Sequence, residues 1–261
     1  GWPDGVGRLN RRLTRWTDAF IAVAAAHGQF LHEFERFPRE KVCVIPNGVD
    51  TRRFAPQSGP SPVRRELSLA EQAPVVGIVA ALRPEKNHAL FLRAAAQVRR
   101  QLPAAQFLIV GDGPERAALE ALCAELQLNG NVHFLGTRSD IPEILNAMDV
   151  FLLTSHNEAN PVSILEALAC GKPVVAPDVG SIAEVIVPGR TGWLTRGGQE
   201  AEVADRVVSL LADRRTAQQM GAAGRADVDA RWSLEQMVRG YEDLITAIYG
   251  SKCPTRSRQG A

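Results

Sequence analysis

The stretch HNEANPVSILEALACGKPVV, His156 to Val175, carries two carboxylates, Glu158 and Glu166, with seven residues between them. Asn160 is a good N-cap and Pro161 suits a first helical position, so a helix is expected to start between the two acids. Gly171 and Pro173 close that helix. The apolar runs on either side, DVFLLTS and PVVAPDV, read as strands. One acid thus sits in a strand-to-helix loop. The other sits in the second turn of the helix, about 7 Å along its axis at the usual rise per residue.

Outward from this unit the same alternation recurs. PVVGIVAAL is an apolar strand, followed by an amphipathic helix from Asn87 to Gln101. QFLIVGDG is a strand, and Pro114 starts a helix that runs to Leu126. NVHFLG, SDIPEILNAM and DVFLLTS continue as strand, helix and strand, and a short helix from Ser181 and the strand GWLT follow PVVAPDV. The end is helical from Gln199 to Tyr249, with a break near Trp232. Arg8 to Phe37 reads mostly as helix, although AFIAVAAA also fits a short buried strand. KVCVIPNGVD is a strand running into a turn, and PQSGPSP is a linker. Continuous apolar strands alternating with helices predict an α/β fold, a parallel sheet with helices on both faces. Such sheets bind ligands beyond the carboxyl ends of their strands. The polar clusters RPEKN, GDGP, GTRSD and SHNEANP all fall at those ends.

Composition narrows the function classes. The 261 residues are 45% hydrophobic and 23% charged, with a net charge of +1. No strong field favours nucleic acid. Arg8, Arg11, Arg12 and Arg15 with Trp2 and Trp16 form a local basic stripe. It reads first as an exposed helix face and second as a peripheral contact with an anionic membrane. Cys43, Cys123, Cys170 and Cys253 are far apart, which fits a reducing, cytoplasmic compartment and argues against zinc. No apolar run approaches the ~18 residues of a membrane span, and no signal peptide is visible. The chain opens at Gly1 without Met, which reads as a fragment.

The chemistry concentrates in three places. GDGPER lacks the third glycine of a dinucleotide fingerprint and reads better as a tight strand-to-helix turn. Lys86 and Arg83, in LRPEKN, put two cations at one strand end, which suits a diphosphate. At the quoted helix, the free N–H groups of Val162 and Ser163 make a seat for phosphate. Glu158 ahead of that seat and Glu166 behind it suit a ligand with hydroxyls at both ends and phosphate between: sugar, diphosphate, ribose. The competing reading makes Glu158 a turn cap and Glu166 a solvated helix residue. The pair Asp227 and Asp229 in DVD has metal-binding spacing but lies in a polar helical stretch away from the site edge.

The runs VIPNGVDTRRFAP, LRPEKN, FLIVGDGPER, VHFLG, DVFLLTSHNEANPVSILEALACGKPVVAPDVGSIAEVI and GRTGWL occur in this order over about residues 40 to 195. Together they resemble family 4 of the retaining glycosyltransferases, in the C-terminal, donor-binding half of the GT-B fold. The resemblance implies a Rossmann-like domain over residues 41–231 and a remnant of the N-terminal acceptor domain over 1–40. It also implies a crossover helix over 232–250, with a disordered tail at 251–261. By resemblance, Glu166 binds the ribose hydroxyls and Glu158 the hydroxyls of the transferred sugar. The backbone of Ala159, Asn160 and Pro161 lies against that sugar, and Val162 and Ser163 hold the distal phosphate. Lys86 steadies the leaving diphosphate, and Thr137 and Arg138 lie near the base. No metal or other cofactor is implied.

Two departures matter. The family's diphosphate-binding arginine is replaced by Ala81, and Arg83 is the nearby substitute. The acceptor half is missing, so the chain is expected to bind a nucleotide-diphospho-sugar but to transfer little alone. The acceptor would be a sugar or a lipid-linked molecule at the inner face of the membrane. A nucleotide-sugar epimerase of the same fold and a non-catalytic binding module are the alternatives.

Overall fold

The structure, a computed structural model, describes residues 12–252. Trp2, Arg8, Arg11, Cys253 and the rest of the tail from 253 lie outside the described residues. The chain begins with a small parallel unit: β1 (Phe20–Ala22), α1 (Ala25–Glu33) and β2 (Val42–Val44). Phe20 pairs with Val42 and Ala22 with Val44. The opening segment is therefore not one long helix. The aromatic and β-branched residues Phe20 and Ile21 pair as strand, and helix resumes at Ala25. The division expected between residues 40 and 41 cuts through this unit. Residues 42–44 bond to β1 rather than to the larger sheet, because a parallel pair needs its crossover helix.

The larger unit opens with α2 (Pro62–Glu66) and β3 (Val75–Val79), then α3 (His88–Gln101), β4 (Gln106–Val110), α4 (Arg116–Glu125) and β5 (Val132–Gly136). It continues through α5 (Ile141–Ala147), β6 (Val150–Leu152), α6 (Val162–Ala169), β7 (Val174–Pro177), α7 (Ile182–Val185) and β8 (Gly192–Thr195). The helices α8 (Glu200–Ala212), α9 (Arg214–Arg231) and α10 (Leu234–Lys252) complete it. The six strands lie in the order β5-β4-β3-β6-β7-β8, all parallel. Helices cover both faces. Val75, Val76, Ile78, Phe151, Val174 and Val175 are therefore fully buried, which explains why these strands read as unbroken apolar runs rather than alternating ones. Phe91 of α3 meets Phe107 of β4 edge to face, 6.3 Å between centroids.

The strand order positions the site. After β3 the chain builds outward through β4 and β5, then returns to lay β6 on the other side of β3. The strand order reverses between β3 and β6, and such a switch point is where open parallel sheets take ligands. GDGPER helps to shape this region. A Cβ on Gly111 would meet Ala80 O at 2.1 Å, and one on Gly113 would meet Leu82 O at 2.5 Å. The two glycines let the β4 loop press on the β3 loop, which is held by Leu82 N to Asp112 O and Glu115 N to Leu82 O. The motif acts here as the tight turn expected of it.

The last helix returns to the small unit. Val49 bridges to Ser233, and Lys252 Nζ reaches Asp18 Oδ2 at 2.6 Å. Ser251 and Lys252, expected in the tail, form the last turn of α10. Trp16, Phe34, Ile245 and Tyr249 stand exposed at 73%, 71%, 63% and 69%. Among the described residues no helix is long and apolar enough to cross a membrane.

Arg225 of α9 locks the parts together. Its guanidinium donates to Thr51 O, Phe54 O and Ala169 O at 3.0, 2.8 and 2.8 Å. The linker turn is thereby tied to the end of α6. Arg225→Met leaves three carbonyls without their charged donor and is expected to lower stability by about 2–3 kcal/mol. Urea unfolding checks this; a midpoint equal to that of the parent chain would contradict it.

Candidate functional site

The loops from β3 and β6 are stapled to each other. Thr154 Oγ1 donates to Lys86 O at 3.1 Å, and His156 N donates to Glu85 O at 2.9 Å. Across this staple Lys86 Nζ meets Glu158 Oε1 at 2.6 Å, and Ser155 Oγ donates to the same oxygen at 2.6 Å. The two charged side chains are only 25% and 9% exposed. A pair so withdrawn from water interacts strongly but has also lost hydration, and it gains from a polar ligand that completes its bonds.

The rest of the β6 loop is pressed onto the start of α7. Ser181 N donates to Glu158 O at 3.1 Å, and Ser181 Oγ donates to Ala159 O. Gly180 adopts a φ of +57°, and a Cβ there would stand 1.9 Å from Glu158 O, so only glycine fits. Asn160 does not cap the helix as its sequence position suggested. Pro161 is the N-cap, and α6 begins at Val162 with no side-chain cap. The Asn160 amide is drawn away to the Val23 carbonyl at 2.7 Å, a tertiary partner from the small unit. Its Oδ1 is buried without a partner among the described residues. The uncapped end leaves the first N–H groups of α6 unbonded by any side chain, which suits an anion. Val162 is exposed and Ser163 half-buried there.

Glu166 lies one turn further along α6. Burial pushes its carboxyl up to about 7, and the positive charge of Arg53 offsets part of that rise. It is neither the solvated helix residue of the competing reading nor hydrogen-bonded to protein among the described residues. It is a desolvated carboxyl whose oxygens have no protein donor among the described residues.

The remaining expected residues are placed less uniformly. Arg83 is exposed just ahead of the 3₁₀ turn Pro84–Lys86, beside exposed Ala81. Thr137 is exposed in the loop after β5. The Arg138 side chain is spent elsewhere: it forks onto Glu66 at 2.7 and 2.9 Å and onto Asp140 at 2.8 and 2.7 Å. Those carboxylates hold its charge firmly, so a ligand meets chiefly the backbone of that loop. His88 is fully buried with both ring nitrogens unpartnered, and burial, then the charge of Lys86, lowers its pKa to about 4. It is neutral near pH 7. Asp227 and Asp229 are each bound by an arginine of their own helix, Arg231 and Arg225. Among the described residues no three His, Cys, Asp or Glu side chains gather as a metal site. Sequence reasoning missed Ser155, Ser181 and Arg53. The arginine lies inside the quoted run VIPNGVDTRRFAP, which gave it no role.

With this geometry in place, comparison with known proteins is decisive. Residues 62–227 match the model of glycosyl transferases group 1, and residues 2–53 match that of glycosyltransferase family 4. The chain belongs to the group 1 glycosyltransferase family. It is 31% identical to the D-inositol 3-phosphate glycosyltransferase of Nocardia farcinica, over 96% of this chain and 58% of that protein. It is 30% identical to the GDP-mannose-dependent alpha-(1-6)-phosphatidylinositol monomannoside mannosyltransferase of Mycobacterium tuberculosis, over 90% of this chain and 63% of that one. Among solved structures, Anabaena HepE in complex with UDP and glucose superposes with a TM-score of 0.85 at 27% identity, covering 92% of this chain and 66% of that one. The group 1 chain thus spans about 58–66% of these relatives. Both of these curated relatives are named as transferases, and the epimerase alternative finds no support among them.

The Glu166 shift has a signed consequence. Its folded value, about 7, lies above the ordinary 4.5, so ionising it costs stability. That cost is absent below pH 4.5, develops as pH rises to 7, and is full above it. Glu166→Gln is expected to be more stable than the parent near pH 8 by on the order of 1–2 kcal/mol, after solvent screening. The gain should vanish near pH 4.5. Paired urea titrations test this; a gain that is the same at both pH values would refute the assignment.

Proposed function

We propose that this chain is the donor-binding half of a retaining glycosyltransferase acting on a nucleotide-diphospho-sugar. The observation that carries the reading is the Lys86–Glu158 pair at the switch point, with uncapped α6 beside it and unpartnered Glu166 behind. In this reading Glu166 accepts from the ribose hydroxyls. Val162 and Ser163 N–H, with the Ser163 hydroxyl, receive the distal phosphate. Glu158 and the backbone of Ala159, Asn160 and Pro161 face the sugar. Lys86 and Arg83 balance the diphosphate, with Arg83 standing in for the arginine absent at Ala81.

The chemistry follows from those placements. The bond from the anomeric carbon to the diphosphate oxygen breaks, and charge builds on the leaving diphosphate. Lys86, Arg83 and the helix N–H groups stabilise that charge as it develops, without a metal. An acceptor hydroxyl attacks on the face that the diphosphate leaves, and its proton passes to the departing phosphate. The acceptor, a sugar or lipid-linked hydroxyl, is held by an N-terminal half. The exposed apolar side chains around β2 and along α10 are the docking surface for that half, with the assembly in the cytoplasm at the membrane face. Nucleotide choice is open between relatives: one solved structure holds UDP, and one relative is named for GDP-mannose.

Calorimetry of the chain against UDP, GDP and ADP with EDTA present is the test. Weak binding of at least one is expected, and no heat or thermal shift with any would remove the proposal. Glu166→Ala should weaken a free nucleoside diphosphate about tenfold or more, because a hydrogen bond to a charged group contributes roughly 1.5–3 kcal/mol. Glu158→Ala should leave that ligand nearly unchanged, since it lacks the sugar. Equal losses would exchange or erase the two roles. Alone, the chain should self-associate in sedimentation and show no transfer of labelled sugar; normal turnover by a monomer would exclude the half-protein reading.

A further inference from the structure

The linker turn between the two units holds an arginine that the donor site has not yet used. Asp50 Oδ1 accepts from Arg52 N and Arg53 N at 2.9 and 3.1 Å, and Phe54 N donates to Asp50 O at 2.8 Å. Phe54 is 5% exposed and anchors the turn in the core. Arg225 then ties Thr51 O and Phe54 O to Ala169 O at the end of α6. The turn is thus fixed to the same helix that carries Glu166.

From this base the Arg53 side chain reaches the loop that follows β5. Its Nη2 donates to Ser139 O there at 3.3 Å. Its positive charge is also felt by the Glu166 carboxyl of α6. Its Cζ stands 5.2 Å from the Phe54 ring. The residue is exposed, and that one long bond is the hydrogen bond its side chain makes among the described residues. Four further N–H donors of the guanidinium therefore remain for a ligand. Nothing in the fold requires an arginine here, because the turn is held by Asp50, Phe54 and Arg225 without its side chain. A planar cation between a ribose-binding carboxylate and a backbone loop is well suited to pack on a nucleobase and to donate to ribose.

We propose that Arg53 is a further donor-binding residue, one that closes over the ribose and base of the bound nucleotide. The inference rests on the donor-binding reading above and deepens it. It gives the linker turn a part in recognition and couples the position of the small unit to occupancy of the larger one.

The test compares binding of UDP, GDP, ADP and inorganic pyrophosphate by the 261-residue chain and its variants. Arg53→Ala and Arg53→Gln should each weaken the preferred nucleoside diphosphate about five- to tenfold, while pyrophosphate changes by less than about twofold. Arg53→Lys should recover only part of the loss, because it restores charge without the plane. Urea midpoints should stay close to the parent's, since Asp50, Phe54 and Arg225 hold the turn and the Arg53 side chain adds one long, exposed hydrogen bond. Parental affinity in both neutral variants would overturn the proposal. So would equal losses for nucleotide and pyrophosphate, which report a distant charge rather than contact. If Glu166→Gln weakens binding and Arg53→Ala does not, this inference alone fails. If the parent binds no nucleotide, it falls together with the function on which it rests.

Discussion

The contact between the loops leaving β3 and β6 is the constraint on which the rest of the site depends. Each loop is irregular and would be mobile by itself. Thr154 to Lys86 O and His156 N to Glu85 O join them through backbone atoms, and the Lys86–Glu158 pair closes the join with charge. Because Glu158 is 9% exposed, it cannot be left without a cation, and Lys86 is the cation within reach. The ion pair therefore serves the free chain as well as the bound one. In the proposed donor reading, a diphosphate near Lys86 would compete with Glu158 for the ammonium, while a sugar hydroxyl near Glu158 would compensate the carboxylate. A ligand bearing both groups, joined at the right distance, satisfies the pair where either fragment alone would disturb it.

The same logic of incomplete satisfaction runs through the site. The Asn160 acceptor oxygen, the first N–H groups of α6 and the Glu166 carboxyl are polar groups that the fold withdraws from water without fully pairing. Elsewhere the protein spends side chains freely on such needs, as Arg225 does for three carbonyls and Arg138 for two carboxylates. Polar groups left without such partners set this part of the molecule apart from the rest and support the proposed binding role.

Stability and function are coupled through the small unit. Asn160 is held by Val23 O, and Glu184 of α7 accepts from Ala25 N and Ala26 N at 2.9 Å each, capping α1 from the far side of the crevice. These contacts, with the return of α10, fix how the β1–β2 unit sits on the larger one. The group 1 glycosyltransferase relatives are longer than this chain, and the exposed apolar side chains lie on the elements nearest that unit.

The strand-and-helix alternation and the two acids flanking a helix start were legible in the sequence, because both depend on short-range pattern: apolar runs, Pro and Gly punctuation, and 1.5 Å per residue along a helix. The motif order likewise identified the family before any contact was known. What tertiary structure alone decided were the pairings between distant segments. The pattern could not show that residues 42–44 would bond to β1, that Val23 would take the Asn160 side chain from its cap, or that Arg138 would be consumed by Glu66 and Asp140. It could not single out Arg53, because an exposed arginine in a turn is ordinary until its contact with the β5 loop and its field on Glu166 are seen. The reason is physical. Local pattern sets which backbone conformation is favourable, but the partner of a polar side chain is whichever group the folded chain brings within about 3 Å, and that distance is set by topology.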